Sequence, residues 1–178
     1  MPSRSVPVRS VQLRYVLSRP VVIVVLGLAF ACCFAASALA QMPNPYGASI
    51  TLEDARKAAA PALAEARKNS WNVAVAIVDP AGDLVYYEKM DNTQLGSATV
   101  AVDKARSAAL FKRPTKVFQD ALASGADGLR VLALHDATPI EGGIPLVADA
   151  KIVGAIGVSG ATSAQDAQCA KAGADTLK

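Results

Sequence analysis

His135 is the only histidine in this 178-residue sequence, and Cys169 is the only cysteine beyond the first forty residues. The two cannot build a closed zinc site within one chain, which takes about four nitrogen or sulfur ligands. No G-x-S-x-G turn, phosphate-binding glycine loop or H-E-x-x-H helix occurs. His135 and Asp136 are neighbours in sequence, which does not orient a serine triad. The acidic residues form no repeated calcium loop. Binding chemistry is left. Lys112-Arg113-Pro114-Thr115-Lys116 places cations at a helix start, where backbone N–H groups also favour an anion. The same run is equally consistent with a solvated basic turn or a subunit contact. Gly142-Gly143 permits close approach of backbone to a ligand, or is a plain tight connection.

The elements that must position these residues follow from periodicity. Thr51 reads as a cap for an amphipathic helix over 52–68, with Leu52, Ala55, Ala59, Leu63 and Ala66 at helical spacing. Pro61 predicts a bend or restart within it. Residues 73–78 are a buried strand and 84–90 a second strand. The Asp79-Pro80-Ala81-Gly82 turn makes them an antiparallel hairpin. Ser97 reads as the cap of a helix whose alanine face (98–109) suits subunit packing. Pro114 reads as the first residue of another helix. Residues 129–134 are a short strand or helical turn. Residues 144–148 and 152–159 form a second hairpin around Asp149-Ala150, in which Gly154 and Gly157 suit a packed helix. A last helix covers 163–177, with Asp166 near its start as a cap. Two hairpins around a helical insert predict an α+β domain, an antiparallel sheet with flanking helices.

Three segments, taken in order, resemble the GlcG/HbpS-like family of haem-binding proteins. They are Asp79-Pro80-Ala81-Gly82-Asp83-Leu84 with Glu88-Lys89-Met90-Asp91, then Lys104-Ala105-Arg106 running to Phe111-Lys112-Arg113-Pro114-Thr115, then Glu141 to Leu146 with the glycine-rich 153–160 run and Gln165-Asp166. The resemblance spans about Thr51 to Leu177. It implies a profilin- or PAS-like sheet, homo-oligomers and a haem cofactor, with haem degradation proposed for some members. The sequence departs from the family pattern at Asp83, where a histidine often stands, and at Ala150, where the hairpin commonly turns on glycine.

Haem requires an apolar slot, an axial ligand and cations for its propionates. The resemblance therefore makes His135 and Cys169 candidate iron ligands, with Met90 and the adjacent Tyr86 and Tyr87 as further donors. Arg113 and Lys116 become candidate propionate partners, beside Gly142 and Gly143. The plainer readings are a surface-loop histidine and a small core cysteine. An oligomeric accessory module for another small ligand or a partner protein stands as the alternative, and a haem-opening enzyme as a third.

The chain's first residues say where it works. Four arginines and no acid precede an apolar run from Val21 to Leu39, which ends in Ala38-Leu39-Ala40. This predicts a cleavable leader over 1–40 and a periplasmic or secreted protein. A flexible lead-in over 41–50 and the domain over 51–178 follow. Removing the leader takes four of the 18 basic residues and none of the 15 acidic ones, so the net charge falls from +3 to −1. That balance implies no nucleic-acid partner, and no membrane contact is expected after cleavage.

Overall fold

The structure, a computed structural model, describes residues 44–177. The leader over 1–40 lies outside the described residues. Among those described, no helix is long and apolar enough to cross a membrane.

Helix α1 spans Leu52–Lys68. The Thr51 hydroxyl accepts the Asp54 N–H, acids occupy the first turn and basic residues the last, so both ends complement the helix dipole. It runs through Pro61 without a restart. Proline withdraws one hydrogen bond, while Ala55, Ala58, Ala59, Ala62, Leu63 and Ala66 keep a continuous face buried. Strands β1 (Ala74–Val78) and β2 (Leu84–Lys89) form the first hairpin. Helices α2 (Ser97–Phe111) and α3 (Lys116–Ala123) follow, then a 3-10 stretch over Ala126–Ala133. Strands β3 (Gly143–Ala148) and β4 (Lys151–Ser159) make the second hairpin, and helix α4 (Ser163–Ala174) runs into a 3-10 turn over Asp175–Leu177. The four strands pair antiparallel in the order β2-β1-β4-β3. Pro145 lies on the edge strand β3, where a missing N–H costs least.

The sheet is covered on both faces, which is why β1 is buried along its whole length. Val75 and Ile77 join α1 and α4 in the larger core, whereas Ala74, Ala76 and Val78 face Ala101, Ala105, Ala108 and Ala109 of α2. Ala101, Ala105, Ala108 and Ala109 of the alanine face are thus spent on the sheet, while Ala98 and Val102 stay half-buried. Across the sheet, Ala76 pairs with Gly157 and Gly157 with Gly143. A Cβ at Gly157 would lie 2.0 Å from the Ala101 carbonyl oxygen, and one at Gly143 would lie 2.2 Å from that of Lys104. This row of an alanine and two glycines is the trough that receives α2. Gly154 instead admits the β1 backbone, with the Val78 carbonyl oxygen 2.3 Å from its Cβ position.

Three local expectations change. Gly96, not Ser97, occupies the cap position of α2. The buried Ser97 hydroxyl is engaged by Gln94 Nε2 at 2.8 Å and Ser159 Oγ at 3.3 Å. Helix α3 starts at Lys116, two residues after Pro114, because Thr115 is held to the sheet: its N–H donates to the Gly143 carbonyl. The lead-in is fastened from Pro45 onward. Ile152 N–H donates to Pro45 O, Gly47 N–H to Ile152 O and Ile50 N–H to Val153 O, each at 2.8–2.9 Å. Tyr46 adds a hydroxyl on the Ala109 and Leu110 carbonyls at the end of α2.

Candidate functional site

The glycines of the 142–143 turn sit where α2, α3, β4 and α4 converge. Beneath them lies the most costly feature of the interior. Lys104 Nζ, in the middle of α2, is 2.8 Å from Asp166 Oδ2, and the two side chains are 1% and 3% exposed. Lys104 also donates to the Val158 carbonyl at 3.0 Å, and Asp166 Oδ1 accepts the Ala161 N–H at 3.0 Å. Burial pushes the Lys104 ammonium below its ordinary pKa and the Asp166 carboxyl above its own, and each is opposed by the other's charge. With a contact this short, and with the Lys104 nitrogen and both Asp166 oxygens each holding a partner, the charged pair is the reading the geometry supports. Asp166 is therefore not the helix cap that its position predicts: Thr162 caps α4, in a capping box with Gln165, and Asp166 is the buried partner of Lys104.

Above the pair opens a pocket of about 180 Å³, lined by Pro114, Lys116, Glu141, Gly142, Gly143, Ile144, Ala167 and Lys171. Its walls come from the start of α3, the glycine turn, β3 and one face of α4. Ile144, Ala167 and Pro114 make it apolar, and Lys116 and Lys171 belong to its lining. Lys116 Nζ contacts Asp120 at 2.7 Å, and Lys171 Nζ contacts Asp175 at 2.7 Å. Each is a solvated surface pair, worth little in itself, so either lysine can exchange its partner for another anion at small cost.

Of the residues singled out from sequence, Lys116, Gly142 and Gly143 are brought together here. Of the two readings of the glycines, the packing fits the tight connection: their missing side chains make room for protein. At Gly142 (φ 126°) a Cβ would lie 2.8 Å from Val158 O and 2.9 Å from Lys104 Nζ. Arg113 turns away from the pocket, donating from Nε to Phe111 O at 3.0 Å with its guanidinium over the Phe118 ring. His135 is exposed in the turn after the 3-10 stretch. Met90 lines a different, polar groove with Arg67, Asn72 and Glu88. In β2, Tyr86 gives its hydroxyl to Glu88 Oε2 at 2.6 Å, and Tyr87 borders a shallow cleft against α2. Cys169 has no exposed surface, and burial raises its thiol pKa from 9.0 to about 11. It sits in the core as a neutral thiol, which is the plain reading of a lone helical cysteine. The donors proposed for iron are thus dispersed.

Sequence reasoning passed over Lys104, Glu141, Ala167 and Lys171 as site residues. Lys104 carried a usable signal: it is a lysine inside an otherwise apolar helix face, with Ala101, Ala105 and Ala108, and such a position requires a buried counter-charge. Lys171 carried none.

A four-stranded antiparallel sheet with one helix on one face, two on the other and a small pocket at the glycine turn defines an α+β domain. The chain belongs to the HbpS-like family, described as haem degrading protein HbpS-like, whose profile matches residues 50–175. Protein GlcG of Escherichia coli K12 is 43% identical over 95 residues, covering 53% of this chain and 69% of GlcG. Among solved structures, a double mutant of Streptomyces reticuli HbpS is similar at 32% identity and a TM-score of 0.68, over 74% of this chain and 89% of that one. A PduOC:heme complex is similar at 26% identity and a TM-score of 0.65, over 71% of this chain and 94% of that one.

Proposed function

We propose that this is an exported haem-binding protein, acting in haem storage, scavenging or sensing, and that the pocket at the glycine turn receives one edge of the macrocycle. The observation that carries the reading is the apolar slot between Ile144 and Ala167 with Lys116 and Lys171 at its border. A flat anionic ring needs an apolar slot of this kind and cations for its carboxylates. Family membership and the similarity to a haem complex support the choice of ligand. The basic, then apolar, then Ala-Leu-Ala leader supports export.

The fit to haem is incomplete within one subunit. At about 180 Å³ the pocket is smaller than the roughly 300–1,000 Å³ of sites that enclose a drug-sized ligand. None of His135, Cys169 and Met90 lines it. One subunit thus supplies a slot and cations but no imidazole or sulfur donor. We assign the second surface, and an iron ligand such as the exposed His135, to another copy of the chain.

Titration of the purified chain with hemin tests the reading. A saturable Soret shift at a fixed ratio is expected, together with an oligomer by light scattering. Replacing Lys116 and Lys171 together by alanine is expected to weaken binding by roughly tenfold. Non-saturable association in the wild type contradicts the reading. The family's description makes haem opening the second reading. A macrocycle-derived product, above the protein-free control when reductant and oxygen are supplied, would move the assignment to an enzyme.

A further inference from the structure

Lys104 and Asp166 have not been explained by stability. Taking two ions out of water costs several kcal/mol each, and apolar replacement of such a buried pair is often neutral. What distinguishes this pair is what it holds. Lys104 Nζ reaches the end of strand β4 through Val158 O, and Asp166 reaches the segment after β4 through the Ala161 N–H. The Gly142 turn rests directly on both: its Cβ position is 2.9 Å from Nζ and 3.0 Å from Asp166 Cβ, and its carbonyl accepts the Val158 N–H at 3.0 Å. Gly143 is then clamped from the other side by Thr115, whose Oγ1 accepts the Gly143 N–H at 2.9 Å.

Every wall of the pocket is anchored by this arrangement. Ala167 follows Asp166 in sequence, and Lys171 lies on the same helix. Lys116 follows Thr115, and Glu141 precedes Gly142. We propose that the Lys104–Asp166 ion pair is the positioning element of the pocket: it fixes the Gly142-Gly143 turn against the Ala167–Lys171 face of α4, and so sets the width of the slot. This deepens the ligand reading above and rests on the same pocket.

The test compares the purified chain with its K104M/D166L and D166N variants. Two readouts are taken: amide hydrogen exchange without ligand, and hemin affinity. The double variant is expected to remain folded, with exchange at the Gly143 amide faster by at least about tenfold and exchange at Val75 in β1 unchanged, and with hemin affinity lower by about tenfold. A merely structural pair would raise exchange at Gly143 and Val75 alike, and that result overturns the proposal. So does a folded double variant with wild-type exchange at Gly143. If the double variant does not fold, D166N is read by the same criteria, since it keeps the side-chain shape and removes the charge. If the wild type binds no hemin, the haem reading fails, while the exchange comparison still decides whether the pair positions the turn.

Discussion

Cys169 shows how far a residue's surroundings decide its chemistry. Its thiol is held neutral by burial, with a pKa raised from 9.0 to about 11. A raised folded-state value means the unfolded chain releases the proton first. The stability contribution is complete below about pH 9 and is lost as pH climbs from 9 toward 11, by about 2 kcal/mol. Urea unfolding at pH 8 and pH 10.5 is expected to show that loss as the difference between the wild type and Cys169→Ala. A thiol reagent at pH 8 is expected to label the unfolded chain and leave the native one largely unmodified. Gly157 is the opposite case, in which an absent side chain is the requirement. Alanine there would place Cβ 2.0 Å from a backbone oxygen of α2. We expect Gly157→Ala to destabilise the domain by about 3 kcal/mol, read as a fall in the urea midpoint.

At the scale of elements, the two hairpins and their turns follow from local sequence. The second turn has a cost that the sequence also shows. Asp149 (φ 49°) and Ala150 (φ 58°) both adopt the left-handed conformation that a two-residue hairpin turn demands. Alanine is ill suited to it, so Ala150→Gly is expected to stabilise by about 1 kcal/mol in thermal unfolding. The lead-in is the element least visible beforehand. Two prolines and a glycine read as a loose segment, yet Tyr46 carries its hydroxyl to the carbonyls ending α2, and Lys112 lies 4.0 Å above its ring. Those partners are 63 and more residues away, which no local pattern reveals. Tyr46→Phe is expected to cost about 1 kcal/mol. The alanine face of α2 was legible as a close-packing surface but not as to what it packs on. Small residues state that something approaches; only the row Ala76, Gly157 and Gly143 across three strands identifies it as the sheet.

For the whole molecule, the sequence points to the right kind of domain. Lys116, Gly142 and Gly143 line one pocket, whereas His135, Met90 and Cys169 belong to three separate environments. Donor type is a property of a residue, and convergence is a property of topology. For that reason the choice of residues able to bind iron outran the placement of any binding site. The central claim is that the slot above the buried ion pair, bordered by Lys116 and Lys171, holds the edge of an anionic macrocycle. Hemin titration of the wild-type chain and of K116A/K171A, followed at the Soret band, tests it most directly. The account predicts saturable binding in the first and roughly tenfold weaker binding in the second. Equal affinity in the two proteins, or no saturable binding in either, would contradict it.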